Sequence, residues 1–263
     1  MAKKRYSTLE STERRRRSPR SKDDGAAPRR SQDPTISDAA AKELGSGRPR
    51  TRGVMPNEES RREGIARARE LVEQGLAEEA IRIYKEVIRD NPTDVRARND
   101  LGVVFDEMGE HGLAVDQFRA AVQEDPDNPE LLVNLGAALG AAGRFEDAER
   151  ELRHAIKLSP ESVDARASLG ILYFRKGLYE HAAQELRAVC LRDNTHGPAY
   201  FYRGEALSRL GNYDEAIESL EHAVELQPHN ARAFYLLGIL FDRKYLHDRA
   251  ASMYRKAREL TDH

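Results

Sequence analysis

The stretch LGAALGAAGRFEDAERELRHAIKLSP, residues 135–160, recurs along the chain in modified form. The related segments are LGVVFDEMGEHGLAVDQFRAAVQEDP (101–126), LGILYFRKGLYEHAAQELRAVCLRDN (169–194) and RGEALSRLGNYDEAIESLEHAVELQP (203–228). Each segment begins 34 residues after the one before it, with no insertion or deletion. Every segment contains two apolar runs at helical spacing. The chain is therefore predicted to consist of stacked helix pairs.

Small residues occupy fixed positions within each unit. In the second apolar run an alanine recurs as Ala80, Ala114, Ala148, Ala182, Ala216 and Ala250. In the first run a small residue recurs as Ala68, Gly102, Gly136, Gly170, Gly204 and Gly238. These positions are predicted to let the two helices approach closely. An aromatic residue or leucine is expected to fill the gap opposite, at Leu71, Phe105, Leu139, Tyr173, Leu207 and Phe241.

Glycine and proline punctuate the units. A glycine follows the first run at Gly75, Gly109, Gly143, Gly177 and Gly211. A proline closes the unit at Pro92, Pro126, Pro160 and Pro228. Glycine is expected to end the first helix and proline to mark the end of the second. Tyr245 stands where the sixth glycine would be, and Asn194 and Asp262 stand where a closing proline would be.

This pattern resembles the tetratricopeptide repeat family over residues 61–263. The resemblance implies an all-α, right-handed solenoid within a domain at 58–263. Its six helix-turn-helix units would span 61–94, 95–128, 129–162, 163–196, 197–230 and 231–263. The family's bulky residue near the start of the first helix is Leu132, Tyr200 or Phe234 in three units. The other three units have Gly64, Arg98 or Arg166 there.

Both ends of the array are predicted to be polar caps. A second-helix position expected to pack on the next unit reads Ile88, Val122, Ile156, Cys190, Val224 and finally Arg258. In the first unit, Glu63, Arg67 and Glu70 occupy positions that are mostly apolar elsewhere. Outer faces of terminal repeats are polar because no neighbour covers them. The same series predicts that Cys190 is a buried packing residue.

Residues 1–57 have the composition of a disordered, basic tail. The first 60 residues contain 15 Lys and Arg, 9 Asp and Glu, and one aromatic residue, although the whole chain has a net charge of −2. So little apolar material does not offset the entropy of ordering. A short helix is predicted at 35–45, with Thr35 as its N-cap. No apolar run is long enough to span a membrane. Together with the single cysteine, this favours the cytoplasm.

The tail contains one dense run of positive charge, formed by Arg14, Arg15, Arg16, Arg17 and Arg20. It can contact an anionic partner, such as a nucleic acid or a membrane surface, or it can be a solvated segment without a ligand. No aromatic residues are interleaved with the arginines. Base-specific recognition of RNA is therefore not expected.

No arrangement of residues indicates catalysis. The eight histidines include no pair at i,i+4 on one helix, and no nucleophile elbow, phosphate-binding loop or zinc motif is present. Acidic residues follow the repeat and are most simply partners for Lys and Arg on helix surfaces. The chain is predicted to have no enzymatic activity, no cofactor and no metal.

In the tetratricopeptide repeat family the first helices line a concave groove that binds peptides. The resemblance places these residues in the groove: Asn99, Val133, Asn134, Ala137, Gly140, Ile171, Phe174, Phe201, Glu205, Tyr235, Ile239 and Asp242. The apolar members would form a track suited to a helix or an extended segment, or would pack on neighbouring helices. The Lys, Arg and Asn pattern that clamps a terminal carboxylate in one branch of the family is not matched in any register.

Gly140 is unusual within the repeat. The same position holds Val72, Asp106, Phe174, Ser208 and Asp242 in the other units. Glycine inside a helix costs about 1 kcal/mol relative to alanine. We therefore expect a shallow depression in the groove floor at Gly140, beside Phe174, that accepts a ligand side chain.

The sequence supports several functions without separating them. The first is an interaction scaffold with a peptide or helix in its groove. The second is self-assembly, with a tail or helix of another copy in the groove. The third is attachment to an anionic partner through the tail. The array could also recruit an enzyme carried by another chain, since fold does not fix function.

Overall fold

The computed structural model describes residues 58–261, and all regular structure in this range is helical. The twelve helices are α1 (Glu58–Glu73), α2 (Ala77–Asp90), α3 (Val95–Glu107), α4 (His111–Glu124), α5 (Pro129–Ala141), α6 (Phe145–Leu158), α7 (Val163–Arg175), α8 (Tyr179–Arg192), α9 (Gly197–Leu210), α10 (Tyr213–Leu226), α11 (Ala231–Arg243) and α12 (His247–Thr261). The predicted tail at 1–57 and its short helix at 35–45 lie outside the described residues.

The helices pair as the repeat predicts. Each odd-numbered helix packs against the even-numbered helix that follows it, and each even-numbered helix packs against the first helix of the next unit. Contacts are confined to neighbouring units, which is the arrangement of a solenoid. The expectation of an all-α solenoid with six units is confirmed.

The two sides of the array differ in how closely successive units approach. First helices of adjacent units contact one another. For example, α5 contacts α7, and α7 contacts α9. No such contact joins two second helices within the described part of the chain. The first helices therefore lie on the inner, concave side of the curve.

The turns inside the units use the left-handed backbone region. The turn glycines Gly75, Gly109, Gly143, Gly177 and Gly211 have φ between 76° and 84°. A side chain at such a φ meets the neighbouring carbonyl oxygen. Tyr245 has a φ of 61°, and no other described non-glycine residue has a positive φ. The sixth unit therefore makes the same turn with a strained residue.

We expect Tyr245→Gly to stabilise the protein by about 1 kcal/mol, because glycine removes the cost of the left-handed conformation. The Tyr245 side chain is 84% exposed, so little packing is lost. The measurement is a urea titration followed by circular dichroism at 222 nm. The opposite change at an equivalent turn, Gly177→Ala, should destabilise by a similar amount. A variant at 245 no more stable than wild type would contradict the argument.

The first helices of units two to six begin with a capping side chain that the sequence analysis did not identify. In each case this side chain accepts a hydrogen bond from a backbone N–H of the first turn. The capping residues are Asp94, Asn128, Ser162, His196 and Asn230. Such caps satisfy donors that have no partner within the helix. The signal was present in the sequence, as polar residues recurring every 34 positions.

The close approach of the helices is confirmed, but the residue that faces the glycine is not the predicted one. A Cβ added to Gly136 would lie 2.6 Å from Leu152 Cγ, on the second helix of the unit. The residues that face the glycines in this way are Phe118, Leu152, Leu186, Leu220 and Tyr254. The series from Leu71 to Phe241 lies three residues beyond the small residue on the same helix, so it is not the residue that meets the glycine from the second helix.

Units that lack the bulky first-helix residue compensate in different ways. Arg98 donates to Gln117 Oε1 at 3.3 Å, and Arg166 pairs with Glu185 at 2.9 Å, so each arginine bridges to the second helix of its unit. Gly64 has no such bridge, and a cavity of about 480 Å³ opens beside it against Ile83 and Val87. The first unit is accordingly the least tightly packed of the three.

The ends of the array are polar, as predicted. Glu63, Arg67 and Glu70 are exposed on α1, and Arg258 is exposed on α12.

Cys190 is 8% exposed and lies in the core. Burial raises the pKa of the Cys190 thiol to about 11, so the reactive thiolate is scarce at neutral pH. Both features match the expected packing role.

Candidate peptide-binding groove

The surface formed by α1, α3, α5, α7, α9 and α11 on the concave side is the candidate groove. Its predicted residues differ widely in accessibility. Ala137, Tyr235 and Asp242 are exposed. Asn99, Asn134, Ile171, Phe174 and Ile239 are partly exposed, whereas Val133, Gly140, Phe201 and Glu205 are buried. The groove is therefore a mixture of contact surface and supporting floor.

The polar part of the groove lies between units two and three. Asn134 Nδ2 donates to Asn99 Oδ1 at 2.9 Å, joining α5 to α3. Val133 is 9% exposed and packs with Leu132 and Ala165. The two asparagines still have free hydrogen-bonding groups that a ligand backbone could use.

A cavity of about 160 Å³ lies at Gly140, where the sequence predicted a depression. Its lining includes Ala137, Ala141, Ile171 and Arg175. A Cβ at Gly140 would approach Leu172 Cδ1 to 3.2 Å. An engineered cavity of roughly 150 Å³ accepts a molecule the size of benzene. The wall next to the cavity is formed by Arg175 rather than by Phe174.

Opposite Arg175, the cavity wall carries a hydrogen-bonded acid and histidine. His111 Nδ1 lies 2.8 Å from Asp106 Oδ1, and both residues line the cavity. The cavity therefore combines an apolar floor with charged groups at its rim. Such a site suits a ligand that places an aliphatic side chain on the floor and has polar groups next to that side chain.

The aromatic centre of the groove is a cluster that the sequence analysis named only in part. Phe174 contacts Tyr202 edge-to-face at a centroid distance of 5.4 Å and Tyr179 at 5.6 Å. Phe201 contacts Tyr202 at 5.1 Å. Tyr202 had been overlooked because its position in the repeat is not among the family's inward-facing ones. These contacts hold the ring of Phe174 in place at the groove surface.

Between units five and six, Arg232 and Glu205 form a charged cluster that covers part of the groove floor. Glu205 is 2% exposed, and its two carboxylate oxygens accept from Arg232 Nη2 at 2.7 and 2.9 Å. The Arg232 guanidinium also lies over the ring of Phe201 at 5.4 Å from its centroid. Phe201 and Glu205 are therefore occupied by internal contacts, while Arg232 faces solvent.

The last unit presents the most accessible aromatic residue of the predicted track. Tyr235 is 54% exposed and lies 5.6 Å from Tyr254 between ring centroids. Asp242 accepts from the hydroxyl of Tyr254 at 2.9 Å and lies 3.2 Å from His247 Nδ1. The hydrogen bond from His247 is the main cause that lowers the pKa of Asp242, so this carboxylate is charged at neutral pH.

The described residues contain neither a candidate metal site nor a helix that could span a membrane, and the predicted tail contact falls outside them. The predicted contact residues Arg14, Arg15, Arg16, Arg17 and Arg20 lie outside the described residues. Within residues 58–261, no cluster of His, Cys, Asp and Glu could hold a metal ion. None of the helices in that range has the length and apolar character needed to cross a membrane.

Profiles of the tetratricopeptide repeat match residues 65–129 and 133–198, residues 197–230, and residues 107–157. No curated protein matches the sequence. Among solved structures, MamA is 26% identical, with a TM-score of 0.53 over 62% of this chain and 95% of MamA.

Two further structures resemble the array more in fold than in sequence. The Pseudomonas aeruginosa protein pilF is 23% identical, with a TM-score of 0.65 over 77% of this chain and 92% of pilF. A chain of the APC/C hetero-tetramer Cut9–Hcn1 is 17% identical, with a TM-score of 0.72 over 78% of this chain and 41% of that one. The matched profiles and the paired helices agree, and the chain belongs to the tetratricopeptide repeat family.

Proposed function

We propose that this protein is an interaction scaffold that holds an extended or helical segment of a partner protein in its concave groove. The family and the fold support a scaffold. The groove assignment rests on one observation: apolar side chains on the first helices of units three, four and six are accessible on the concave side. Ala137, Ile171 and Tyr235 are the main examples. Accessible apolar surface of this kind marks interaction sites.

The groove is better suited to a segment than to a globular partner surface. The accessible residues lie on parallel helices in successive units, so a ligand running along the array meets each in turn. A helix would use its apolar face, and an extended strand would use alternate side chains. The asparagine pair at Asn99 and Asn134 could hydrogen-bond an extended backbone.

We infer that the protein acts through what it binds and has no catalytic function of its own. Members of this family are generally non-catalytic scaffolds. The cytoplasm remains the expected compartment, on the evidence of the lone, buried Cys190.

Self-association by continued stacking of the solenoid is less well supported. At its N-terminal end the array presents Glu63, Arg67 and Glu70. In the second unit the corresponding positions are Ala97, Leu101 and Val104, which are all buried. A second copy stacked on α1 would take these charged side chains out of water, which is unfavourable.

The test compares partners captured by wild type with those captured by the double variant Ala137→Gln with Ile171→Gln. We expect capture of groove ligands to fall about tenfold, since glutamine replaces apolar contact surface with a neutral amide that loses its hydrogen bonds to water when a ligand covers it. The matched control is Ala188→Gln, which changes an exposed alanine on the second helix α8. Circular dichroism verifies that each variant is folded. Equal capture by a folded double variant would disprove groove binding.

A further inference from the structure

One repeat position is an arginine in units four to six and is glutamate or alanine in units one to three. It lies in the last turn of each first helix. It reads Glu73, Glu107, Ala141, Arg175, Arg209 and Arg243 from unit one to unit six. The last turns of α7, α9 and α11 are therefore basic, whereas those of α1, α3 and α5 have no basic residue.

The three arginines are accessible, and one of them lines the groove cavity. All three are exposed. Arg175 lines the cavity at Gly140, reaching back across the boundary between units three and four. Arg209 and Arg243 occupy the same repeat position in the next two units, and we call these three residues the arginine row.

Two of these arginines, Arg175 and Arg243, have no carboxylate partner among the described residues, and the third shares its partner with another arginine. Among residues 58–261, Arg175 has no hydrogen-bond or ion-pair partner. Arg243 donates to the hydroxyl of Tyr213 at 2.5 Å and lies over its ring, with no carboxylate partner in the described part of the chain. Arg209 is 3.8 Å from Glu205, which Arg232 already holds at 2.7 Å.

Other basic side chains nearby contrast with this row. Lys176, adjacent to Arg175, pairs with Glu149 at 2.7 Å, and Arg153 pairs with the same carboxylate at 2.8 Å. The hydrogen bond from Lys176 lowers the pKa of Glu149, as expected for a carboxylate held by cations. Arg175 and Arg243 thus have no carboxylate partner in the described part of the chain, whereas Lys176 and Arg153 are each paired with Glu149.

We propose that the groove ligand is an acidic amphipathic segment whose carboxylate side chains bind Arg175, Arg209 and Arg243. One aliphatic side chain of this segment fills the cavity at Gly140. This inference rests on the proposed groove function and specifies its ligand. Arginine binds carboxylates in a bidentate manner, and the repeat spaces the three groups for a ligand that runs along units four to six.

The charge pattern also indicates what does not occupy this part of the groove. A basic partner segment carries the same sign as the row and would be repelled from units four to six. Charge complementarity of this kind contributes to specificity and to the rate of association.

The experiment selects ligands from a display library of random 16-residue peptides on full-length wild-type protein. Both peptide ends are fused to the display protein, so no free terminal carboxylate is present. We expect enrichment of peptides with net negative charge and at least one aliphatic residue. The triple variant Arg175→Gln, Arg209→Gln and Arg243→Gln should lose that enrichment.

Affinities of the strongest selected peptide then test individual groups by fluorescence anisotropy. Arg175→Gln should weaken binding about fivefold, which corresponds to the upper range for an accessible ion pair. Added salt should weaken the wild-type complex. Gly140→Ala, which begins to fill the cavity, should also weaken it. Arg119→Gln on α4 is the matched control, because Arg119 is exposed and lies on a second helix.

The outcomes separate this inference from the proposed function. Selection of neutral or basic peptides that are lost in the Ala137→Gln, Ile171→Gln variant would overturn the acidic ligand and leave groove binding intact. Peptides that bind this variant as well as wild type would overturn both. Acidic peptides whose affinity is unchanged by the triple variant would overturn the role of the arginine row.

Discussion

Gly170→Leu is expected to lower the free energy of unfolding by about 3 kcal/mol, near the upper end for overpacking a core. Even a Cβ at this position would lie 2.7 Å from Leu186 Cγ and 3.4 Å from Glu185 Cβ. The Leu186 side chain is completely buried, so it has little room to move. Relief requires the two helices of unit four to separate, which would also disturb their neighbours.

The measurement is urea unfolding followed by circular dichroism, compared with Gly170→Ala. Alanine gains helix propensity of about 1 kcal/mol but still meets Leu186, so its net effect should be smaller. The control is Gly112→Ala on α4, where an added Cβ meets nothing within 4 Å. That variant should be as stable as wild type or slightly more stable. Gly170→Leu within 1 kcal/mol of wild type would contradict the close helix contact.

Arg232→Ala is expected to destabilise the array by about 2 kcal/mol. Removing one member of a buried ion pair costs about 3–5 kcal/mol because the other charge is left unpaired. The cost is reduced here because the Arg232 side chain is 59% exposed and Arg209 lies within 3.8 Å of Glu205. Loss of the stacking of Arg232 on Phe201 adds to the destabilisation.

The double variant Arg232→Ala with Glu205→Ile should recover most of the lost stability. Isoleucine occupies the equivalent position in units four and six, as Ile171 and Ile239. A double-mutant cycle in urea gives the coupling energy directly. If the double variant is as unstable as Arg232→Ala alone, the unpaired carboxylate is not the cause of the loss. Glu205→Ile alone is the remaining corner of the cycle.

The groove and the stability of units five and six are connected through this cluster. Arg232 stacks on Phe201 and holds Glu205, so the same side chains that fill the groove floor also join α9 to α11. Substitutions of Phe201 or Glu205 would therefore change folding as well as binding. Ala137, Ile171 and Arg175 are better probes of binding, because they are accessible and carry fewer internal contacts.

Much of the fold was predictable because the relevant signals are local and repeated. Helix spacing and the turn glycines act over a few residues, and their recurrence in six and five units makes each signal clear. Even the exception at Tyr245 was placed correctly, since the repeat demands the same turn there and its φ is 61°. The polar ends followed from the charge at Glu63, Arg67, Glu70 and Arg258.

The candidate site was predictable only as a set of positions. The repeat places Phe201, Glu205 and Tyr235 on the first helices, but they are 6%, 2% and 54% exposed. The difference arises from contacts between units. Arg232 covers Phe201 and Glu205, whereas no following unit covers Tyr235 in the described chain. A residue's position in the repeat does not predict which side chain of the next unit covers that residue.

The depression at Gly140 shows the same division between sequence and structure. The missing side chain was evident from the repeat, and so was its place on the concave side. The identity of its wall was not, because Arg175 comes from the next unit and reaches back across the interface. The sequence by itself determined the helices, their turns and the capped ends, since those depend on neighbours along the chain. Only the tertiary structure decided which groove residues face a ligand, because that depends on side chains about 30 residues away.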